Sequence, residues 1–393
     1  MALVHMADML NHAYRHGYAI GAFNVANFDF LEGVLTAAEA CRAPVVLNLP
    51  ESHLEHYNFE MLIAAAVVGA QRAAVPVAIN LDHGTSMKSV VRGIKSGCNA
   101  VMIDASALPL DENLRCTREV VDMAHACGVA VEGELGYVPW AESDGDDKHG
   151  GDIAYTLPAE AKAFAERTGV DCLAVSIGTV HGLLHGTPKL DITRLSKISE
   201  AVGIPLVIHG GTGLTDDQFR KLIAHGVAKI NYYTGLADVA GASVRAQLKE
   251  HPKGSYPQLT AGVRDAIGTE IERMIRLWGS GGRAAEVLKQ CRPWREVEQI
   301  AFYNAPEKMT ESEITAIMLR GQETLNAVPG IRTVRTGKSL QTDGSLRYCW
   351  LIRFASQAVA DHYRTNPAHL RFMDKEMRAV TPDLLTIDYV ENE

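Results

Sequence analysis

The chain has 393 residues, of which 47% are hydrophobic and 22% charged, and its formal net charge is −9. This composition supplies a large core and excludes a disordered chain, while the acidic balance argues against a nucleic-acid-binding protein. No apolar run reaches the roughly 18 residues of a membrane span, and the N-terminus lacks the pattern of a signal peptide. Seven scattered cysteines without a CxxC pair argue against a disulfide framework, so we expect a cytoplasmic protein.

Short apolar runs recur through the first 235 residues and are typical of strands that are buried on both faces. We predict strands at residues 18–25, 44–50, 76–82, 100–106, 130–136, 172–178, 205–210 and 229–234. The segments between them carry apolar residues at helical spacing, and several end in glycine. Eight strand–helix units predict an α/β fold, a closed (β/α)8 TIM barrel. An open doubly wound sheet is the alternative, but no GxGxxG follows the first strand.

The C-terminal part of the chain exceeds what a barrel of roughly 250 residues requires. A glycine-rich stretch ending in a proline, residues 279–293, is a plausible boundary. Beyond it, the patterns follow the order β-α-β-β-α-β, which is typical of a ferredoxin-like α+β domain. We therefore predict a barrel over residues 1–285 and a smaller domain over residues 293–393.

Three histidines stand at the ends of predicted strands, where TIM barrels place their catalytic groups. His83, His181 and His209 follow the third, sixth and seventh strands. A single histidine in such a place is more often structural, but three together favour a catalytic zinc site with one open coordination position. Three other histidines lie on the predicted N-terminal helix and are expected at the surface: His5, His12 and His16.

The segment HGGTG after the seventh strand is a candidate phosphate loop. Barrels often bind phosphate in the loops after strands seven and eight, through backbone N–H groups and a helix N-terminus. Gly211 and Thr212, with Asn231 and Thr234 opposite, fit that arrangement. The glycines could instead mark only a tight turn, but the neighbouring His209 favours the ligand interpretation.

The motifs LDHG, MIDAS, EGELG, IGTVHG, TPKLD, IHGGTG and KINYYT follow one another between residues 81 and 234. In this order and spacing they resemble the class II, metal-dependent ketose-bisphosphate aldolases, which include fructose- and tagatose-bisphosphate enzymes. The resemblance extends from about residue 1 to about residue 280. It implies reversible aldol cleavage of a phosphorylated ketose to dihydroxyacetone phosphate and an aldehyde, through a zinc-stabilised enediolate.

The resemblance also implies roles for individual residues. The three strand-end histidines would bind one catalytic Zn²⁺ per chain, and Asp82 would be the acid and base at the substrate hydroxyl. Glu134 would be a carboxylate that can approach the metal, and Asp104 an accessory ligand. A substrate- and phosphate-binding set is implied as well: Asn24, Gly182, Gly210, Gly211, Thr212, Asn231 and Thr234. A monovalent cation, Na⁺ or K⁺, is expected near the phosphate.

Departures from the family pattern affect two candidate residues, Glu142 and Tyr233. Glu142 falls at the offset of the family's mobile acid, but Pro139 and Trp140 replace the usual glycines, and a solvated acidic loop is the alternative. Tyr233 stands where fructose-bisphosphate enzymes carry an aspartate and tagatose enzymes a small residue. We therefore regard Glu142 as a candidate base and Tyr233 as a candidate specificity residue.

The C-terminal segment resembles the stress-responsive α/β-barrel (Dabb) domain, in the stretches AVPGIRTVRTG, YCWLIRF and ADHYRTNPAHLRFMD. Such domains pair through their sheets, which implies a homodimer or homotetramer. Their histidines, here His362 and His369, line a pocket in some members, but an oligomerisation role is the preferred interpretation.

Two functions compete with aldol cleavage of a phosphorylated sugar. One is a non-catalytic phosphosugar-binding barrel with a dimerisation domain. The other is a zinc metallohydrolase, which would need an HxH pair on the first strand, where Phe23, Asn24 and Val25 stand instead. No membrane or nucleic-acid partner is expected.

Overall fold

The computed structural model describes residues 2–52, 58–138, 154–182, 189–340, 346–378, 380–381 and 384–390. The chain divides into two compact units. The first comprises Met1–Val90, Cys98–Val121 and Ala130–Pro293, and the second Val91–Gly97, Asp122–Val129 and Trp294–Glu393. We propose residues 1–285 and 293–393 as the domain limits.

Eight parallel strands in the first unit close into a barrel, in the order in which they occur in the chain. β1 closes the barrel by pairing with both β2 and β8. The predicted TIM barrel is therefore confirmed. The strands are β1 (Ile20–Asn24), β2 (Val45–Pro50), β3 (Val77–Gly84), β4 (Ala100–Ile103), β5 (Ala130–Leu135), β6 (Cys172–Val175), β7 (Leu206–Ile208) and β8 (Val227–Tyr232).

Helices precede, separate and follow these strands. Side-chain caps fix several starts: Asp191 accepts a hydrogen bond from the backbone N–H of Arg194, and Thr215 forms a capping box with Gln218. The helices of this part are α1 (Met6–His16), α2 (Phe28–Cys41), α3 (Phe59–Arg72), α4 (Met87–Ser96), α5 (Leu110–Ala126), α6 (Pro158–Thr168), α7 (Ile192–Val202), α8 (Asp216–Ala224), α9 (Thr234–Glu250), α10 (Tyr256–Thr260), α11 (Val263–Trp278) and α12 (Ala284–Gln290).

The apolar face of α1 belongs to a core cluster at the N-terminal end of the barrel. Met9 and Leu10 pack there with small residues that begin the strands, such as Ala100 and Ala228. His12 is buried on the same helix, and its Nδ1 lies 2.9 Å from the Tyr18 hydroxyl. The expectation of a surface position is therefore wrong for His12, because the helix has its apolar face turned into the barrel end.

The second unit contains a four-stranded antiparallel sheet in the order β10-β11-β9-β12. Together with its helices, this order confirms the ferredoxin-like α+β prediction. The elements are β9 (Val297–Tyr303), α13 (Glu311–Asn326), β10 (Ile331–Lys338), β11 (Tyr348–Phe354), α14 (Gln357–Tyr363), α15 (Pro367–Phe372), a π-helical turn (Met373–Met377) and β12 (Leu385–Tyr389). β9 and β11 alternate between buried and more exposed residues, so one face of the sheet lies against the helices.

The described helices include none with the length and apolarity to cross a membrane. All seven cysteines are free thiols.

Candidate metal centre and active site

The backbone turns His83 towards the barrel axis by an irregularity at the end of β3. The register between β3 and β4 shifts between Leu81 and Gly84, and His83 itself has a φ of 47°. A positive φ at a non-glycine residue is uncommon and costs conformational energy, so it is kept where the surrounding structure requires it. Gly84 permits the bend, since a Cβ there would lie 2.6 Å from the carbonyl oxygen of Met102.

The three strand-end histidines converge on one point, as the sequence predicts. Their ring centroids are separated by 4.7 Å between His83 and His209, 5.2 Å between His83 and His181, and 5.6 Å between His181 and His209. One nitrogen from each ring lies within 4.8 Å of the others. Three imidazoles in this arrangement can bind a divalent transition metal.

Each histidine has its second ring nitrogen against an oxygen. Nδ1 of His83 lies 2.7 Å from Oδ2 of Asp104, Nδ1 of His181 lies 3.1 Å from the Val138 carbonyl oxygen, and Nε2 of His209 lies 2.9 Å from Oε1 of Glu132. Metal-binding histidines usually donate their other N–H to a carboxylate or carbonyl in this way. These contacts orient the rings and leave Nε2, Nε2 and Nδ1, respectively, as the nitrogens that face the centre.

The two facing nitrogens of His83 and His209 are 3.1 Å apart. If both outer nitrogens donate to carboxylates, both inner nitrogens carry lone pairs, and they repel unless a cation lies between them. Burial lowers the pKa of His83, but the charges of Asp82, Asp104 and Glu134 outweigh burial and raise the pKa to about 10. Burial lowers the pKa of His209. A proton on Nε2 of His83 would therefore lie where a metal ion would bind.

Glu134 also fits a cation at this point. Its side chain is 2% exposed. Its Oε2 has no hydrogen-bond partner among the described residues and lies 3.5 Å from Nδ1 of His209. Burial, together with the charge of Asp104, raises the pKa of Glu134 well above its ordinary value. His83, Asp104 and Glu134 form a second group whose ligand atoms lie within 4.8 Å of one another. The donor set of imidazoles and carboxylates suits Zn²⁺ or a related divalent ion.

Asp82 lies beside this centre, at the end of β3, and is almost fully buried. Its Oδ1 accepts a hydrogen bond of 3.1 Å from Nδ2 of Asn231. The amide of Asn231 is oriented by Lys229, whose Nζ lies 2.6 Å from Oδ1 of Asn231. The same amide nitrogen lies 3.3 Å from Nε2 of His209. The structure thus places Asn231 between the predicted acid and the predicted metal ligands.

A ladder of asparagine amides crosses the first three strands. Asn24, Asn48 and Asn80 occupy paired register positions. The amide of Asn48 donates to Oδ1 of Asn24, and that of Asn80 donates to Oδ1 of Asn48, both at 2.9 Å. Oδ1 of Asn80 is buried and has no hydrogen-bond partner among the described residues. These hydrogen bonds hold the side chain of Asn24, a predicted substrate ligand, at the C-terminal end of β1.

Glycines let the loops after β6 and β7 approach each other closely. Gly210 has a φ of 70°, and a Cβ there would lie only 2.0 Å from the carbonyl oxygen of Val180. The neighbouring Gly182 also has a positive φ, of 86°. Oγ1 of Thr212 accepts a hydrogen bond of 3.1 Å from the backbone N–H of Gly235. This bond joins the glycine loop to the first turn of α9.

Tyr233 and Thr234 mark the change from β8 to α9. Tyr233 is the N-cap residue and Thr234 the first residue of the helix. The ring of Tyr233 lies 6.1 Å, centroid to centroid, from that of Phe30 on α2. Glu142 lies outside the described residues, as do Pro139 and Trp140.

Four residues support the site through contacts that the sequence does not predict: Glu132, Lys229, Asn48 and Asn80. The sequence places Glu132 on the same strand face as Glu134, and it predicts for Lys229 only a structural or phosphate-adjacent position. Asn48 and Asn80 required the strand register, which a single sequence does not provide.

Comparisons with known proteins match two parts of the chain to two different families. Residues 4–283 match the family model for class II fructose-bisphosphate aldolase, and residues 297–391 match the stress responsive A/B barrel domain. A fructose-bisphosphate aldolase of Geobacillus stearothermophilus is 41% identical over 290 residues, which cover 73% of this chain and all of that protein. A probable fructose-bisphosphate aldolase of Bacillus subtilis is 39% identical over 288 residues, 72% of this chain and all of that protein. The crystal structure of the YdjI aldolase from Escherichia coli K12 is 36% identical, with a TM-score of 0.65, and the match covers 72% of this chain and 99% of that one.

Proposed function

Because the chain belongs to the class II fructose-bisphosphate aldolase family, we propose that it cleaves a phosphorylated ketose reversibly to dihydroxyacetone phosphate and an aldehyde, with a bound metal. The observation that carries this proposal is the convergence of three imidazole nitrogens whose opposite ring nitrogens all contact oxygen atoms. That arrangement supports metal binding, and Asp82 beside it supports proton transfer.

The metal ligands would be His83, His181 and His209, with Glu134 and Asp104 as carboxylates able to approach. A bound Zn²⁺ would supply Lewis-acid stabilisation of the negative charge that develops on the ketone fragment. One Zn²⁺ per chain is the proposed stoichiometry. A monovalent cation, Na⁺ or K⁺, near the phosphate remains part of the proposal.

Asp82 would take the proton from the substrate hydroxyl during cleavage and return it during condensation. Asn231 supports the charged carboxylate by donating a hydrogen bond to it. Lys229 keeps Asn231 in the orientation that makes this possible, since a flipped amide would place its NH₂ group against the ammonium group. These contacts arrange Asp82 as a base before substrate arrives.

The phosphate would bind where the loops after β6 and β7 meet the N-terminus of α9. The backbone N–H groups of Gly182, Gly210 and Gly211 are the proposed donors, with the hydroxyl groups of Thr212 and Thr234. The positive end of the α9 dipole, a helix of 17 residues, favours an anion at this point. Anchoring the phosphate would hold the reacting carbons over the metal site. Asn24 and Asn231 are proposed to contact the ketone fragment.

A second proton must move on the ketone fragment, and Glu142 remains the proposed base for that step. Replacement of Glu142 by Gln should slow proton exchange at dihydroxyacetone phosphate without changing metal content. Exchange at the wild-type rate would exclude Glu142 from this role.

The aldehyde partner is proposed to differ from glyceraldehyde 3-phosphate. Tyr233 is half-buried beside Phe30 and offers no charge to a second phosphate. We therefore expect wild-type protein to prefer an uncharged or apolar aldehyde. Tyr233→Ala should broaden the accepted aldehydes, whereas unchanged preferences would remove Tyr233 as a specificity residue.

A homodimer or homotetramer is proposed through the outer face of the second sheet. Ile300, Leu351 and Ile387 share that face by register, and Leu351, Leu385 and Ile387 are 38%, 52% and 50% exposed. A second copy of the sheet would cover them, and Leu351→Lys should then shift the mass measured by light scattering to that of a smaller species.

A cytoplasmic location is proposed because all seven cysteines are free.

The decisive experiment combines metal analysis with an aldehyde screen. Purified protein should contain about one Zn²⁺ per chain, and a chelator should abolish condensation of dihydroxyacetone phosphate with aldehydes, scored by product mass. His209→Ala should lose both metal and activity. The matched control is His225→Ala, because the His225 ring contacts the Lys221 carbonyl at a helix end. Turnover that survives both chelation and His209→Ala would overturn the metal mechanism, and a metal-loaded protein without turnover on any aldehyde would favour a phosphosugar-binding barrel.

A further inference from the structure

The bend that directs His83 towards the metal centre is held from both neighbouring strands. β3 lies between β2 and β4 in the barrel. On the β4 side, the backbone N–H of Asp104 donates a hydrogen bond of 2.9 Å to the Gly84 carbonyl, and the Asp104 carboxylate contacts Nδ1 of His83. On the β2 side, the support comes from Glu51, the residue that directly follows β2. No step of the proposed mechanism involves Glu51.

The Glu51 carboxylate binds the segment after His83 at two points. Its Oε2 accepts a hydrogen bond of 2.6 Å from the backbone N–H of Thr85. Its Oε1 accepts a hydrogen bond of 2.5 Å from the hydroxyl group of Ser89. Thr85 comes two residues after His83, and Ser89 lies in the first turn of α4. The carboxylate therefore ties both the bend and the following helix to the end of β2.

The N-terminus of α4 favours a carboxylate at this place. The N-terminal end of a helix attracts negative charge, and the first turn of this fully described helix carries no acidic side chain of its own. Oγ of Ser86 accepts a hydrogen bond of 3.2 Å from the backbone N–H of Ser89, and the two hydroxyl oxygens are 2.8 Å apart. Since the Ser89 hydroxyl donates to Glu51, the Ser86 hydroxyl donates to Ser89. Glu51 thus completes a chain of hydrogen bonds that fixes the first turn of α4.

His83 needs support on both sides because its backbone is strained. Its φ of 47° lies in the left-handed region, which a residue other than glycine keeps only where the surrounding structure enforces it. Relaxation to a negative φ would change the direction of the imidazole, whose Nε2 now lies 3.1 Å from Nδ1 of His209. Loss of the support from β2 is therefore expected to move this nitrogen away from the other ligand atoms.

We propose that Glu51 is a positioning residue for metal binding, because its carboxylate holds the bend after β3 and thereby keeps Nε2 of His83 at the metal centre. Glu51 acts through the backbone of Thr85 and the hydroxyl group of Ser89, and not as a ligand. The inference rests on the proposed metal-dependent function. A carboxylate that only stabilised the helix would make the same two hydrogen bonds, so the test must separate positioning from stability.

Zinc affinity separates the two roles. Binding of Zn²⁺ to the full-length protein is measured by competition with a chromophoric chelator. Glu51→Ala should lower the affinity about tenfold, as the loss of an outer contact of a metal ligand does. Glu51→Gln should restore most of the affinity, because its amide oxygen can accept from Thr85 and its NH₂ group can donate to Ser89. If Glu51→Ala fails to fold, Glu51→Asp replaces it, since the shorter side chain does not reach both donors.

The matched control is Glu313→Ala. The Glu313 carboxylate also accepts hydrogen bonds from a backbone N–H and a hydroxyl group, both of Thr310 and both of 2.8 Å, at the start of α13. This helix belongs to the second unit, whereas the three histidines belong to the first. Glu313→Ala should therefore lower the melting temperature, as Glu51→Ala does, and leave the zinc affinity unchanged.

Amide hydrogen exchange of the metal-free protein gives a second readout. The N–H of Thr85 should exchange faster in Glu51→Ala than in wild type, and at the wild-type rate in Glu313→Ala. Wild-type zinc affinity in folded Glu51→Ala, unchanged exchange at Thr85, or an equal loss of affinity in Glu313→Ala would overturn the role of Glu51 and leave the proposed function intact. A wild-type protein without affinity for Zn²⁺ would overturn both.

Discussion

Lys229 on β8 and Glu132 on β5 form an ion pair across the barrel interior, with 2.7 Å between Nζ and Oε2 and neither side chain exposed to solvent. Although burial opposes the charged form, the charge of Lys229 lowers the pKa of Glu132 to about 2. Burial also opposes charge on Lys229, but Glu132 and Asp82 raise its pKa above the ordinary value. The pair fixes His209 through Glu132 and Asn231 through Lys229. The pair therefore supports both the proposed metal site and Asp82, the proposed acid.

Removing one partner of this pair should destabilise the barrel strongly. Lys229→Met leaves Glu132 buried without its cation, and we expect a loss of about 3–5 kcal/mol in the free energy of unfolding. Urea unfolding followed by circular dichroism measures this loss. The control is Lys221→Met, which breaks an ion pair with Asp217 whose partners are more than half exposed and should cost under about 1 kcal/mol. Similar losses in the two variants would contradict the structural role of Lys229.

Substitutions of Asp82 and Asp104 should distinguish an effect on proton transfer from an effect on metal binding. Asp82→Asn keeps the ligands and removes the base, so we expect unchanged metal content and a fall in kcat of roughly 10²–10⁴-fold. Asp104→Asn weakens the support of His83, so metal affinity should fall about 10–100-fold, with activity largely restored by excess metal. Metal titration and steady-state kinetics distinguish the two effects. Loss of metal in Asp82→Asn would instead make Asp82 a structural residue.

The metal-free protein should lose stability as pH rises from about 6.5 to about 10. The folded pKa of His83 is raised from the ordinary 6.5 to about 10, so the stability that its proton contributes is complete below the unfolded pKa and disappears as pH passes the folded pKa. Since a metal must displace that proton, zinc affinity should rise with pH over the same range. Melting temperatures and zinc titrations at several pH values measure both trends. His83→Gln should remove the pH dependence of melting temperature and of zinc affinity, whereas His225→Gln should leave both unchanged. If the pH dependence persists in His83→Gln, His83 is not the group that causes it.

Two glycines of the proposed phosphate loop should respond differently to substitution by alanine. Both have a positive φ, of 70° at Gly210 and 87° at Gly213, but only at Gly210 would a Cβ collide with backbone. Gly213→Ala should cost about 1–2 kcal/mol from the left-handed conformation alone. Gly210→Ala should cost more and raise KM for the phosphorylated substrate, because the loop must move away from Val180. Equal effects on unfolding and on KM would show that the close approach of the two loops is unimportant.

Much of the candidate site could be predicted from the strand pattern and the motifs. His83, His181 and His209 could be predicted because the ends of parallel strands in a barrel meet at one face, so three strand ends imply proximity. Asp82 and Glu134 followed from their places beside those ends. For Lys229 the sequence predicts only a structural or phosphate-adjacent position, because its pairing with Glu132 depends on a strand on the other side of the barrel.

The sequence by itself determined the eight-strand barrel, the second α+β unit and the family, since local periodicity and short motifs depend on neighbouring residues in the chain. Only the tertiary structure decided which ring nitrogen of each histidine faces the centre, and that Glu132 and Lys229 form an ion pair across the barrel. These features depend on strand register and on side-chain direction across the barrel. Contacts between residues that are distant in the chain fix both.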